Sequence, residues 1–164
     1  MMTKALIIDY EKCVGCRTCE MACSIQHKKA INPLQSRIAI VRWEMEGQGV
    51  PIMCSHCESA PCVAVCPVTA ISRDESLGSL VVDYERCIGC RMCVAACPFG
   101  AMGFDGESRR VVKCDLCDGD PLCARFCMYG ALKYAEITEQ SSARQREAAE
   151  KLKAVVATKT PAAL

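Results

Sequence analysis

The sequence predicts an α+β protein whose short helices and strands are built around cysteine side chains, and three observations carry that prediction. Sixteen cysteines in 164 residues fall into four tight groups of four, with none left over. Residues 9–23 align with residues 83–97, and ten of those fifteen positions are identical. Aromatic residues make up only 5% of the chain, which leaves a thin hydrophobic core. Cores of this kind depend on cross-links or bound metal, so we expect the cysteines to supply them.

The four cysteine groups differ slightly in their internal spacing. Groups one and three have the pattern C-x2-C-x2-C-x3-C, group two has C-x2-C-x4-C-x3-C, and group four has C-x2-C-x5-C-x3-C. Because every cysteine belongs to a group, all sixteen are candidate ligands. In chain order the groups are Cys13, Cys16, Cys19 and Cys23; Cys54, Cys57, Cys62 and Cys66; Cys87, Cys90, Cys93 and Cys97; Cys114, Cys117, Cys123 and Cys127.

Three chemistries use cysteines at this density, and the spacing separates them. Disulfides require an oxidising compartment, and residues 1–9 contain neither a signal-peptide core nor a twin-arginine pair. Zinc ribbons join two C-x2-C knuckles roughly 15–20 residues apart, whereas here four cysteines lie within 11 to 14 residues. The C-x2-C-x2-C-x3-C spacing is that of bacterial iron–sulfur ferredoxins. Four complete ligand sets therefore predict four [4Fe-4S] clusters.

The spacers between cysteines predict the local structure. In C-x2-C-x2-C the loop wraps one corner of a cubane, and Gly15 and Gly89 let the backbone approach closely. The x3 spacing places the last two cysteines of a group one turn apart on a short helix, so that the fourth reaches a neighbouring cluster. Pro67 and Pro98 follow the last cysteines of groups two and three and would end those helices. Short strands are predicted at residues 5–8, 37–43, 50–53, 80–83, 102–104 and 111–113.

The chain divides into a cysteine-bearing domain over residues 1–137 and a tail over residues 138–164. The largest insertion in the domain, residues 24–53, has no ligand, and such an insertion covers a cluster or contacts a partner. The tail has no cysteine and is rich in Ala, Lys and Glu. We predict that it is a helical or extended strap that docks on a partner subunit, and a solvated tail is the alternative reading.

The repeat indicates two copies of a two-cluster unit but leaves the pairing of groups open: group one with two, or one with four and two with three. The four-motif pattern over residues 4–135 resembles the iron–sulfur subunits of molybdenum and tungsten oxidoreductases, which have a ferredoxin-like fold. That resemblance implies that groups one and four pair, and that groups two and three pair. The implied ligand sets are Cys13, Cys16, Cys19 and Cys127 (cluster 1); Cys114, Cys117, Cys123 and Cys23 (cluster 2); Cys54, Cys57, Cys62 and Cys97 (cluster 3); Cys87, Cys90, Cys93 and Cys66 (cluster 4).

Within that family the chain is most similar to the small electron-transfer subunit of bacterial tungsten aldehyde oxidoreductases, because of its compact length, short insertion and lack of a membrane anchor. The resemblance implies single-electron relay between a large pterin-containing catalytic subunit and a flavoprotein. A row of clusters with two exposed ends would also let copies of the subunit stack on one another. Two alternatives stay open: the iron–sulfur subunit of a hydrogenase, formate or CO dehydrogenase complex, and a free-standing polyferredoxin.

Several functions have no support in the sequence. It contains no G-x-G-x-x-G or Walker loop and no paired-carboxylate or Ser-His-Asp pattern, so we predict no catalytic residue. It has no basic tract for nucleic acid and no apolar run near the roughly 18 residues of a membrane span, and we expect a cytoplasmic protein. His27 is expected to face solvent, and His56 to be a polar group at the rim of a cluster.

Overall fold

The structure is a computed structural model that describes residues 4–45 and 47–137. In these residues the strands form four separate antiparallel ribbons of two strands each. The predicted mixture of short helices and strands is confirmed. The elements are β1 Lys4–Ile8, α1 Thr18–Lys28, β2 Ile38–Trp43, β3 Gln48–Met53, α2 Pro61–Ala64, β4 Ile71–Arg73, β5 Leu80–Val82, α3 Met92–Ala96, β6 Gly103–Asp105, β7 Arg110–Val112, α4 Leu122–Arg125 and β8 Leu132–Glu136, with 3-10 turns at Tyr10–Lys12, Pro33–Gln35 and Leu116–Gly119.

Two hydrophobic cores organise these elements. The first core lies where α1 packs against α4, and the ribbon β1–β8 closes it by pairing Leu6 with Tyr134. The second core lies where α2 packs against α3, next to the hairpins β4–β5 and β6–β7. The buried residues of the first core are Leu6, Cys19, Cys23, Ile38, Ile40, Met53, Leu116, Cys123 and Leu132. Those of the second core are Ile71, Cys93, Met102 and Val111.

The helices that carry the cysteines are shorter than the spacing predicts. Only α1, at 11 residues, holds both cysteines of its x3 pair, whereas α2, α3 and α4 have four or five residues and end before the last cysteine. Proline explains part of this difference, because it forces the residue before it out of the helical region. Cys97, which precedes Pro98, has φ −76° and ψ 112°. None of the described helices is long and apolar enough to cross a bilayer.

Equivalent positions of the two aligned stretches have the same unusual backbone conformation. Gly15 and Gly89 have φ of 67° and 68°, and Arg17 and Arg91 have φ of 61° and 64°. The predicted insertion contains the end of α1 and the hairpin β2–β3, whose strands lie close to their predicted positions. The predicted tail, residues 138–164, lies outside the described residues, so its helical character and docking role stay predictions.

An ion pair joins the two halves of the domain. Lys28, the last residue of α1, donates to Asp105 at the end of β6 over 2.5 Å. The Asp105 carboxylate also accepts from the Ser108 hydroxyl (2.8 Å) and the Glu107 amide (3.0 Å). The Lys28 ammonium, followed by the Ser108 hydroxyl, lowers the pKa of Asp105 to about 2. Burial of the carboxylate makes this contact different from the exposed ion pairs of the protein.

Neutralising Lys28 is expected to destabilise the protein more than neutralising Arg125, whose ion pair with Asp120 lies at the surface. Lys28→Gln leaves a buried Asp105 without its cation, whereas Arg125→Gln removes a surface pair with Asp120, a loss of about 0–1 kcal/mol. Urea unfolding of the iron-loaded protein, followed by its visible absorbance, compares the two variants.

The pH dependence of this difference gives a second check. The folded pKa of Asp105, about 2, is below the ordinary 3.8, so the Lys28 contribution is full above about pH 4 and is lost as pH falls toward 2. Equal destabilisation by Lys28→Gln and Arg125→Gln at pH 7 would show that the buried pair adds nothing.

Candidate iron–sulfur cluster sites

The fold brings cysteine groups together in two pairs. In the described residues, the first core contains cysteines of groups one and four only, and the second core contains cysteines of groups two and three only. Groups that are about 100 residues apart thus share one core, because β1 pairs with β8 and α1 packs on α4. The pairing implied by the resemblance is therefore compatible with the fold, and a pairing of group one with group two has no counterpart in either core.

Two recesses in the surface show how individual cysteines are placed. One is lined by Cys13, Cys16, Cys19 and Cys127, and its apolar wall includes Ile40, Pro51 and Leu132. The other is lined by Cys54, Cys57, Cys62 and Cys97, with Leu80, Phe99 and Met102 beside them. Each recess takes three cysteines from one group and the fourth from the partner group. These are the sets predicted for clusters 1 and 3, and their role as ligands stays a prediction.

The cysteines predicted for cluster 2 also lie near one another. Burial raises the pKa of the Cys123 thiol, and the neighbouring thiols of Cys114, Cys23 and Cys117 raise it further. Burial likewise raises the pKa of Cys117 to about 11, with the Asp115 carboxylate as the next cause. For cluster 4, Cys66, Cys87 and Cys93 all pack in the second core. The thiols of Cys117 and Cys123 therefore ionise less readily than a free thiol unless a cation compensates the charge, which is what bound iron does.

Backbone amides already point at several sulfur atoms. Such N–H donors stabilise the thiolate form and tune the potential of an iron–sulfur cluster. Three of the four sulfurs that accept them belong to the last cysteine of a group, the one predicted to reach across to the partner cluster. The donors and acceptors are Arg37 N to Cys23 Sγ (3.3 Å), His56 N to Cys54 Sγ (3.4 Å), Ala70 N to Cys66 Sγ (3.2 Å) and Leu132 N to Cys127 Sγ (3.4 Å). The donor set therefore fits a [4Fe-4S] group.

The insertion packs against the first cysteine loop, whereas its role in covering a cluster or contacting a partner stays a prediction. The Gly49 amide donates to the Cys13 carbonyl over 3.1 Å, and a Cβ at Gly49 would lie 2.6 Å from the Gly15 Cα. In the same way, a Cβ added at Gly15 would lie 2.9 Å from the Arg42 side chain. The absence of a side chain at Gly15 therefore also lets the hairpin β2–β3 pack closely against this loop. The sequence alone indicated only a close approach of Gly15 to a cluster.

His27 does not face solvent, contrary to the prediction. Its side chain is only 14% exposed, and its Nε2 lies 3.6 Å from both Cys117 Sγ and an Asp115 carboxylate oxygen. Burial and the nearby Arg37 guanidinium lower the pKa of His27. These three residues are close enough to hold a metal ion, but Cys117 is a predicted ligand of cluster 2, so His27 belongs to the wall of that site. Helical spacing could have found it, because Cys23 and His27 are four residues apart on α1.

His56 is also more buried than predicted. It is only 5% exposed, and its Nδ1 accepts the Leu80 amide over 2.9 Å. Burial, followed by the Lys113 ammonium, lowers the pKa of His56 to about 3. The imidazole is therefore neutral at physiological pH and carries its proton on Nε2, which has no hydrogen-bond partner in the described residues.

Comparison with known proteins settles the cofactor type. Residues 45–137 match the 4Fe-4S dicluster domain, and residues 4–24 match the 4Fe-4S binding domain. The chain belongs to the 4Fe-4S dicluster family. Its sixteen cysteines are thus those of an iron–sulfur protein, which removes zinc and disulfides as alternatives, whereas the number of four clusters stays a prediction.

Several relatives of this dicluster protein are named as subunits of oxidoreductases. The polyferredoxin-like subunit of an aliphatic sulfonate oxidoreductase from Pyrococcus furiosus is 43% identical over 122 residues, which cover 74% of this chain and 70% of the relative. Formate hydrogenlyase subunit 2 of Escherichia coli is 35% identical over 185 aligned positions, covering 89% of each chain. A chain in the structure of the active-site complex BamBC of benzoyl coenzyme A reductase is 29% identical, with a TM-score of 0.50 over 90% of this chain and 89% of that chain.

The contact between Gly49 and Gly15 predicts a specific defect. Gly49→Ala places a methyl group against backbone atoms that cannot move aside without displacing the Cys13–Cys16 loop. We expect the purified protein to lose the iron and sulfide of one cluster. Gly106→Ala is the matched control, because a Cβ there meets nothing within 4 Å. A full iron content in Gly49→Ala would contradict the packing argument.

Crossed pairing of the groups predicts which substitutions act on the same cluster. Cys127→Ala and Cys13→Ala should remove the same electron paramagnetic resonance signal, whereas Cys114→Ala should remove a different one. If each group instead holds its own cluster, Cys127→Ala and Cys114→Ala will share a lost signal. Spectra of the three dithionite-reduced variants distinguish these results.

Proposed function

We propose that this chain is the electron-transfer subunit of an oxidoreductase complex, relaying single electrons through four [4Fe-4S] clusters. The observation that carries the proposal is the placement of ten of the cysteines in two cores, one with cysteines of groups one and four and the other with cysteines of groups two and three. Iron–sulfur clusters accept and release one electron at a time. The protein's part is to hold them at fixed positions, exclude water and set their potentials.

Each feature of the site serves that role. Apolar walls such as Ile40 and Pro51 limit solvent at the first recess, and Leu80 and Met102 do so at the second. Crossed ligation would fix the two clusters of each core as one rigid unit, because each cysteine group would supply ligands to both. The matching conformations of the two aligned stretches support the predicted two-unit repeat.

The finer assignment rests on the sequence resemblance. Within the proposed function, the chain passes electrons between a large tungsten or molybdenum pterin subunit, which has an aldehyde as its substrate, and a flavoprotein. Relatives that are subunits of a sulfonate oxidoreductase and of formate hydrogenlyase support the general role. Formate hydrogenlyase is also the second candidate complex, because its subunit 2 aligns over 89% of both chains. A cytoplasmic location stays a prediction.

Isolation of the complex under anaerobic conditions tests this function. The chain, tagged and expressed in its own organism, should co-purify at fixed stoichiometry with a larger subunit that contains tungsten or molybdenum. Four clusters predict about 16 iron and 16 sulfide atoms for each copy of the chain. A chain that purifies alone with full iron content is a free-standing polyferredoxin, and co-purification with nickel-containing subunits would favour the hydrogenase alternative.

A further inference from the structure

Lys113 is a buried cation at the junction of the two cores. It follows strand β7 and precedes Cys114, and it is only 2% exposed. Its ammonium donates to the Leu80 carbonyl on β5 and to the Cys114 carbonyl, the latter over 2.6 Å. Lys113 therefore connects the hairpin β4–β5, next to the second core, with Cys114, the first cysteine of group four.

No anion accompanies this charge in the described part of the chain. None of the ion pairs there includes Lys113, and the nearby Asp115 carboxylate pairs with Arg37 and His27 instead. Carbonyl oxygens satisfy the hydrogen bonds of an ammonium but not its charge. A buried charge without a counter-charge is costly, so an anion is expected to lie close by when the protein is complete.

The hydrogen bonds of Lys113 place it beside two predicted ligand sets. Its ammonium donates to the carbonyl of Cys114 and to the carbonyl of Leu80, and Leu80 lines the recess that contains Cys54 and Cys62. Burial raises the pKa of the Cys62 and Cys114 thiols, and the Lys113 ammonium opposes that rise. Cys114 belongs to the predicted cluster 2, whereas Cys54 and Cys62 belong to the predicted cluster 3. Lys113 thus lies between ligands of two clusters that come from different cores.

Two orphaned polar atoms support a missing partner in the same place. The Leu80 amide donates a hydrogen bond to His56 Nδ1, and the Leu80 carbonyl accepts one from the Lys113 ammonium. Next to Leu80, the Ser79 hydroxyl is fully buried and has no hydrogen-bond partner in the described residues, and the same holds for His56 Nε2. Buried donors without acceptors are rare in folded proteins. Sulfur atoms of a bound cluster would provide acceptors, and thiolate ligands would provide the charge.

We propose that Lys113 is the shared counter-ion of clusters 2 and 3 and that it raises the reduction potentials of both. The inference rests on the proposed ligand sets. Reduction adds one negative charge to a cluster, and a fixed cation at short range stabilises the reduced form, especially where water is excluded. Because Lys113 acts on both clusters, it lowers the barrier that their mutual repulsion would otherwise impose when an electron passes between the cores.

Lys113→Gln and Lys113→Arg separate charge from hydrogen bonding. Gln retains N–H donors but removes the charge, whereas Arg retains the charge. In anaerobic redox titrations of the isolated iron-loaded chain, Lys113→Gln should lower two potentials by about 59 mV or more, a tenfold change in each one-electron equilibrium. The two shifted potentials should be those of the clusters whose electron paramagnetic resonance signals are lost in Cys114→Ala and in Cys54→Ala. Lys113→Arg should preserve them, as should Lys133→Gln, which removes an exposed lysine on β8.

Each outcome of this experiment decides the proposal. Unchanged potentials in Lys113→Gln at full iron content, or equal shifts in Lys113→Gln and Lys113→Arg, would overturn it. Loss of iron from Lys113→Gln alone would support the counter-ion role, whereas loss from both variants would show that Lys113 is needed only for packing. A wild-type chain that lacks these two signals would contradict the proposed function itself, so the two failures are distinguishable.

Discussion

Cysteine side chains form part of both cores of this protein, at the points where α1 packs on α4 and α2 packs on α3. Three of its four described α-helices have four or five residues, and four of its eight described strands have three. Neither a helix nor a ribbon of that length is stable in water by itself. Their cysteines meet in two cores with few large apolar residues. Bound clusters would join these fragments, since each would connect two cysteine groups that lie on different helices and loops.

The same constraint makes electrostatics central to the site. The chain without metal has a formal charge of +1, and four clusters of roughly −2 each would make the loaded molecule acidic. Basic side chains are placed accordingly at the cysteine loops. Arg91 stacks on the Phe104 ring at 3.7 Å, Arg37 pairs with Asp115 beside Cys117, and Lys113 is buried between the cores. Charge is thus distributed along the proposed electron path and not confined to one surface.

The sequence predicted what depends on spacing and missed what depends on distant neighbours. Cysteine intervals identified the cofactor type, and alternating apolar residues located the hairpin β2–β3. Spacing within a group could not show that β1 pairs with β8, which is what brings groups one and four together. The predicted helices were longer than the observed ones. For α3 the reason is that Pro98 forces the residue before it, Cys97, out of the helical conformation. His56 and Lys113 have ordinary local sequence, and only tertiary packing around Leu80 shows that both are buried.

Anomalous diffraction at the iron absorption edge, from crystals of the anaerobically purified chain, locates each cluster and its ligands directly. We expect four iron clusters, two in the first core between α1 and α4 and two in the second between α2 and α3. Each should be bound by three cysteines of one group and one of its partner group. Clusters ligated by four cysteines of a single group, or by cysteines of groups one and two together, would show that the ligation is not crossed as proposed.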